Sequence, residues 1–302
     1  MGGERASSAY NKHLMNTTSS RQAQLIAEHW ARRLPSYDEA LALLRAKGID
    51  TDRCTAEALH GFDMIHVGEV EATDLVAREA GIERGERVLD IGCGLGGPAR
   101  RFAYKHGATV SGIELSEQVF QTAVALTSLV GLADQVDFTL GSALAMPYDA
   151  GIFDTVVMQH CAMQVSGKRE MFQECARVLR PGGTMVLHEF FSGAGGEPDY
   201  PLPWASEPAL SALQTFEATS ALLNEIGFTV GPYLDQYAVA ISFYSKMIAR
   251  LEQAISGDSG FRGKGVDEAR NSLKIFQTMI RNFNADRVRL GIVHCRKTRY
   301  SL

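Results

Sequence analysis

The run Val88–Gly97, VLDIGCGLGG, decides how this chain is read. An apolar, β-prone stretch carries Asp90 near its end and runs into four glycines within six residues: Gly92, Gly94, Gly96 and Gly97. Glycines so closely spaced allow positive φ and let another body lie against bare main chain. The run therefore reads as a strand, a tight turn and the start of a helix built to receive something.

Working outward, the texture from Arg87 onward alternates short β-branched runs with amphipathic helical ones. RVLDIG precedes a helix through PARRFAYKHG, TVSGIEL precedes SEQVFQTAVALTSLVG, and VDFTLG leads into a loop. FDTVVMQ then precedes KREMFQECARVL, and GTMVLHEFF precedes a long connection. This alternation predicts right-handed crossovers and a doubly wound, largely parallel sheet, an α/β fold. Upstream, Ser20 to Ala80 carries apolar residues at three- and four-residue spacing and predicts a helical segment. Downstream, Thr215 and Gly227 bracket a helix, FTVGPYLDQYA predicts a sixth strand, and helices follow over about Ile241–Ile255 and Val266–Phe283. SGDSGFRGKG between those helices reads as a mobile surface loop, and RLGIVHCRKTRY as a closing strand. The division expected is a helical cap over 1–80 and a core over 81–302 with a helical lid inserted at about 239–285.

With 45% hydrophobic and 22% charged residues in 302, the chain has ample apolar material for a core. A net charge of -5 disfavours a nucleic-acid partner, which calls for a basic face. No apolar run suits a secretion signal or a bilayer span, so a cytoplasmic protein with no membrane partner is the expectation. The five cysteines are scattered, with no pair two residues apart, and signal neither disulfides nor a metal site. The N-terminal helices and the loop after Ile255 are surfaces where a second copy of the chain would pack.

Gly92, Gly94 and Gly97 satisfy G-x-G-x-x-G, a pattern shared by several nucleotide-binding folds, and Glu114 ends the next strand about twenty residues on, where a carboxylate can bond both ribose hydroxyls. To this point NAD and S-adenosylmethionine fit equally. Asp90, two residues before the first glycine, suits an ammonium group and is of no use to a pyrophosphate. The turn VLRPGG, Val178–Gly183, supplies the discriminating motif: with LDIGCGLGG it resembles the class I S-adenosylmethionine-dependent methyltransferases over about Gly61–Gly231.

That resemblance implies a seven-stranded sheet whose last strand is antiparallel, with S-adenosylmethionine as cofactor. It implies that Gly92, Gly94 and Gly96 touch the methionyl tail, that Glu114 binds the ribose, that Leu115 flanks the adenine, and that Ser142 or the main chain of Ala143 takes the place of the usual adenine-binding acid. Gln159 falls opposite the sulfonium. MIHVGEVEAT is similar to a stretch of the sarcosine/dimethylglycine and phosphoethanolamine methyltransferase-like subgroup, which implies His66 and Gly68 near the methionine carboxylate.

For chemistry, His160 just past the fourth strand is the first candidate base, with a loop-bracing histidine as the alternative. His188 and Glu189 end the fifth strand, where alternation turns one of them to the crevice; a buried pair serving the neighbouring loop is the alternative. Tyr200 and Trp204 in DYPLPWASEP, and Tyr10, are candidate pocket walls, whereas Trp30 reads as structural and Arg100 and Arg101 as a solvated helix face. Cys161 reads as a small buried hydrophobe. The function expected is methyl transfer to a small-molecule amine or natural product, as N-, O- or C-methylation in secondary metabolism. The alternatives are C-methylation of an alkenyl diphosphate, an NAD-dependent oxidoreductase, and a non-catalytic cofactor-binding protein.

Overall fold

The computed structural model describes residues 18–256 and 264–299. Two helices open it, α1 (Thr18–Arg33) and α2 (Tyr37–Ala46), followed by short α3 (His60–Asp63) and by α4 (Glu69–Ala80). The core then runs β1 (Arg87–Ile91), α5 (Gly97–His106), β2 (Thr109–Glu114), α6 (Glu117–Leu129), β3 (Val136–Leu140), β4 (Phe153–Gln159), α7 (Lys168–Val178) and β5 (Leu179–Ser192). After a long connection come α8 (Phe216–Ile226), β6 (Phe228–Asp235), α9 (Tyr237–Ser256), α10 (Lys264–Asn284) and β7 (Val288–Lys297).

The seven strands form one sheet in the order β3-β2-β1-β4-β5-β7-β6. β3 through β5 are parallel, and β7 slots between β5 and β6 antiparallel to both. The order reverses at β1, and the strand ends on either side of β1/β4 open a crevice, the position where open α/β sheets seat ligands. Local signals set the element ends: the Thr215 hydroxyl accepts from Ala218 N at 3.1 Å to start α8, and Gly227 at φ 107° ends it.

Strand alternation sorts the side chains onto two faces. Leu89, Ile91, Met158, Leu187 and Phe191 pack on the side of α7 and α8. Val88, Val110, Val157 and Val186 pack on the side of α4 and α5. By the same period, Asp90, Gln159, His188 and Phe190 belong to the α4/α5 face, and Glu189 to the opposite one. The loop expected at Ser256–Gly265 lies mostly outside the described residues.

Candidate active site

A cavity of about 310 Å³ opens at the carboxyl ends of β1, β2 and β4, within the range of small-molecule sites. Its floor is the glycine turn. Gly92 and Gly94 face it at φ 68° and 54°. A Cβ on Gly92 would meet Cys161 Sγ at 2.6 Å, so the turn and the loop after β4 touch only because that side chain is missing. Gly96 and Gly97 do not line the cavity, which corrects the expectation for Gly96. Their smallness serves packing instead: a Cβ on Gly96 would strike the Phe138 ring at 2.6 Å, and one on Gly97 the main-chain oxygen of Asp63 at 2.6 Å.

Glu114 is buried at the cavity wall and its carboxylate is held by three main-chain donors. Gly94 N donates to Oε2 at 3.1 Å, and Leu115 N and Ser116 N to Oε1 at 2.8 Å each. Burial raises its pKa, opposed by those three bonds. Asp90 is also buried beside it, with Oδ2 unpartnered; burial first, and then the Glu114 charge, push its pKa to about 7. Gln159 contributes both amide atoms unpartnered to the same corner. Leu115, Ser142 and Ala143 line the wall, with Ser142 Oγ accepting from Leu144 N at 3.2 Å.

The loop after β4 carries His160 at φ 55°, a left-handed conformation uncommon for a non-glycine residue. It is held there by His160 N donating to His188 O at 2.9 Å, and by Glu189 Oε1, which accepts from Cys161 N at 2.7 Å and Ala162 N at 2.9 Å. Lys168 Nζ braces the same loop through the carbonyls of Ala162, Val165 and Ala212. Glu189 thus stands on the far face of β5, away from the cavity, as the loop-serving alternative had it; strand parity is the reason. Burial pushes its pKa to about 7 and brings Lys168 down to about 8.

His66, His160 and His188 form a cluster at the cavity's edge, with ring centroids 6.0 Å (His66 to each of the others) and 4.8 Å (His160 to His188) apart. His66 and His160 line the cavity, whereas His188 sits behind them, on the cavity's face of β5 but not at its wall. Burial lowers all three, His66 to about 4, His188 to about 3 and His160 well below its usual value, so the cluster is neutral. His66 Nε2 lies 2.9 Å from both Thr73 Oγ1 and Glu69 O, while His160 Nε2 has no partner. Gly68 is not at the wall; at φ 81° it starts α4, and a Cβ there would meet that of Ala72 at 2.8 Å.

The remaining walls come from outside the sheet. Trp204 is buried at the wall and stacks on Phe190 with centroids 4.6 Å apart. Tyr200 packs in the neighbouring apolar cluster and does not reach the cavity, and Tyr10 lies outside the described residues. Trp30, which reads as structural from sequence, lines the cavity and donates Nε1 to Gln164 Oε1 at 2.8 Å, while Gln164 Nε2 donates to Trp204 O at 2.8 Å. Gln164, Phe190, Phe243, Tyr244 and Phe276 are wall residues that sequence reasoning missed; for the three on α9 and α10, aromatic spacing signals a buried face without saying what it faces. Arg100 corrects another expectation: it is 1% exposed, and its Nη2 pairs with Asp63 Oδ2 at 2.7 Å. Arg101 is mostly covered too, bridging Asp74 at 2.8 Å. Among the described residues, no helix is long and apolar enough to cross a membrane.

Residues 89–187 match the family described as "Methyltransferase domain". Sterol 24-C-methyltransferase ERG6 of Saccharomyces cerevisiae is 31% identical over 165 residues, covering 53% of this chain and 43% of the yeast protein. Methyltransferase GfsG of Streptomyces halstedii is 33% identical over 158 residues, covering 50% of this chain and 55% of its own. The chain thus spans about half the length of the curated relatives it matches. Among solved structures, phosphoethanolamine N-methyltransferase 2 of Haemonchus contortus, in complex with S-adenosyl-L-methionine, superposes with a TM-score of 0.68 at 20% identity, over 80% of this chain and 56% of that one. Strand order, glycine turn and domain match agree: residues 89–187 carry a methyltransferase domain set in a seven-stranded α/β sheet.

Proposed function

We propose that the protein transfers a methyl group from S-adenosylmethionine to a small-molecule acceptor. The observation that carries this reading is the buried carboxylate of Glu114, fixed by three main-chain donors beside the bare backbone of Gly92 and Gly94. The donor set fits the cofactor. Oε2 of Glu114, which accepts one main-chain bond against two at Oε1, keeps a lone pair for a ribose hydroxyl, the unpartnered Asp90 Oδ2 suits an ammonium, and Gly92 and Gly94 present bare main chain at the wall. Leu115, Ser142 and Ala143 would frame the adenine, and His66 would lie near the methionine carboxylate. When bound, the cofactor supplies an electrophilic methyl group on a positively charged sulfur.

The chain's own residues do the positioning. Gln159 and His160 line the cavity where an acceptor must be oriented, and the Gln159 amide and His160 Nε2 are buried without a partner. Burial keeps His160 neutral, so its ring can hydrogen-bond and orient an acceptor's polar group. His188 and Glu189 position His160 through its loop rather than touching substrate. Helices α1, α9 and α10 exclude water with Trp30, Phe243 and Phe276, which makes the N-terminal segment and the insertion before β7 the cap and lid of the site.

Calorimetry with S-adenosylhomocysteine and with NAD tests the reading. The expected result is micromolar binding of the first and none of the second; the reverse overturns it.

A further inference from the structure

The two ends of the cavity differ in chemistry, and the end away from the glycine turn is built for an uncharged guest. The carboxylates that line the cavity, Asp63, Asp90 and Glu114, belong to the glycine-turn end, and Asp63 is already paired with Arg100. Among the described lining residues Arg33 is the one cation. It sits where α1 is pinned to α6 by Gln118 Nε2, which donates to Ala31 O and Leu34 O at 3.1 Å each, on the β2 side of the crevice. The opposite wall consists of Met163, Phe190, Trp204, Phe243, Tyr244 and Phe276.

Those aromatics form a wall rather than a cage for a cation. Phe190 stacks on Trp204 at 4.6 Å and 25° and also packs against His160 at 4.4 Å and 49°. Tyr244 is spent on Phe243, Phe276 and Phe283, at 5.3, 5.5 and 6.1 Å. A quaternary or protonated amine needs open ring faces or a carboxylate, and a diphosphate needs several cations. The wall formed by those six residues offers no carboxylate and no cation, and beside it the Gln159 amide and His160 Nε2 are buried without a hydrogen-bond partner.

We infer that this end of the cavity takes a neutral, predominantly apolar, ring-containing acceptor whose single polar group reaches the Gln159–His160 corner. The inference rests on the methyltransferase reading of the site and narrows its substrate class, against both a small charged amine and an alkenyl diphosphate.

The protein has two tryptophans, and both, Trp30 and Trp204, line the cavity, so intrinsic fluorescence reports occupancy of this end directly. The first step is calorimetric binding of S-adenosylhomocysteine; failure there ends the methyltransferase reading itself. The loaded protein is then titrated with a panel of neutral hydroxylated ring compounds (steroids and polycyclic phenols), with geranyl diphosphate plus magnesium, and with phosphoethanolamine and sarcosine. The expected result is saturable quenching by at least one neutral ring compound, with affinity about tenfold or more above the charged probes. Tighter binding of the diphosphate or of either amine, or no response to any neutral compound by a protein that binds S-adenosylhomocysteine, overturns the inference. Phe243→Lys, at a partly exposed wall position, is expected to weaken the neutral probe about tenfold while leaving S-adenosylhomocysteine affinity within about twofold. Unchanged neutral-probe affinity in that variant counts equally against it.

Discussion

Replacing Asp90 by asparagine should stabilise the ligand-free protein, and should do so more as pH rises. Burial and the neighbouring Glu114 push the Asp90 carboxyl to about 7 from an ordinary 3.8. Because the folded value is the higher one, the contribution of Asp90 to stability is complete below the unfolded value and is lost as pH climbs through about 7. Integrating proton linkage between those two values, the loss amounts to about 2 kcal/mol near pH 5 and about 4 kcal/mol near pH 8.5. Asparagine keeps the shape and carries no charge, so the stability gap between variant and parent should widen by about 2–3 kcal/mol across that interval. For a chain of this size that is a widening in Tm of about 5 °C, at roughly 2 °C per kcal/mol. Differential scanning calorimetry of both proteins near pH 5 and near pH 8.5, without ligand, measures it. A gap that stays constant within about 1 °C would falsify the claim that Asp90 ionises inside a closed, uncompensated site. The same charge should serve the cofactor: S-adenosylhomocysteine, whose ammonium compensates Asp90, should bind the parent more weakly as pH falls below about 7 and should show little such dependence in the variant.

Four further outcomes follow from named contacts. Glu114→Ala should weaken S-adenosylhomocysteine by about 1.5–3 kcal/mol or more, read by calorimetry, and unaltered affinity would contradict the ribose assignment. Asp63→Ala strands the Arg100 guanidinium in a site where it is 1% exposed, and should cost about 3–5 kcal/mol in urea titration; a loss below about 1 kcal/mol would show that the pair is wet. His160→Ala should lower turnover by about 10²-fold or more on an acceptor whose polar group it orients, with S-adenosylhomocysteine affinity retained, and equal losses in both would make it a purely structural residue. Gly97→Ala should destabilise by about 1–3 kcal/mol, because its Cβ would sit 2.6 Å from the Asp63 carbonyl oxygen; a neutral result would mean that α3 yields freely.

What the sequence determined by itself was everything that depends on period and local geometry. The alternation of β-branched and amphipathic runs set the order of elements, and Thr215 and Gly227 marked a helix to within a residue. The glycine turn, Asp90, Glu114 and Gln159 were legible because a strand end pointing into a crevice is a local property of β1, β2 and β4. Tertiary structure alone decided which side chains meet. The parity of β5 was countable, but which parity faces the cavity depends on what packs against each side, so Glu189 went to the loop brace and Phe190 to the wall. Arg100 lies on a helix whose sequence reads as amphipathic and charged, and only the approach of Asp63 from 37 positions away turns that face inward. Trp30 and Gln164 meet across 134 positions. Periodicity records whether a residue is turned from solvent; it carries no information about the partner on the other side, and a cavity wall assembled from α1, the connection after β5 and the helices before β7 is made of such partners.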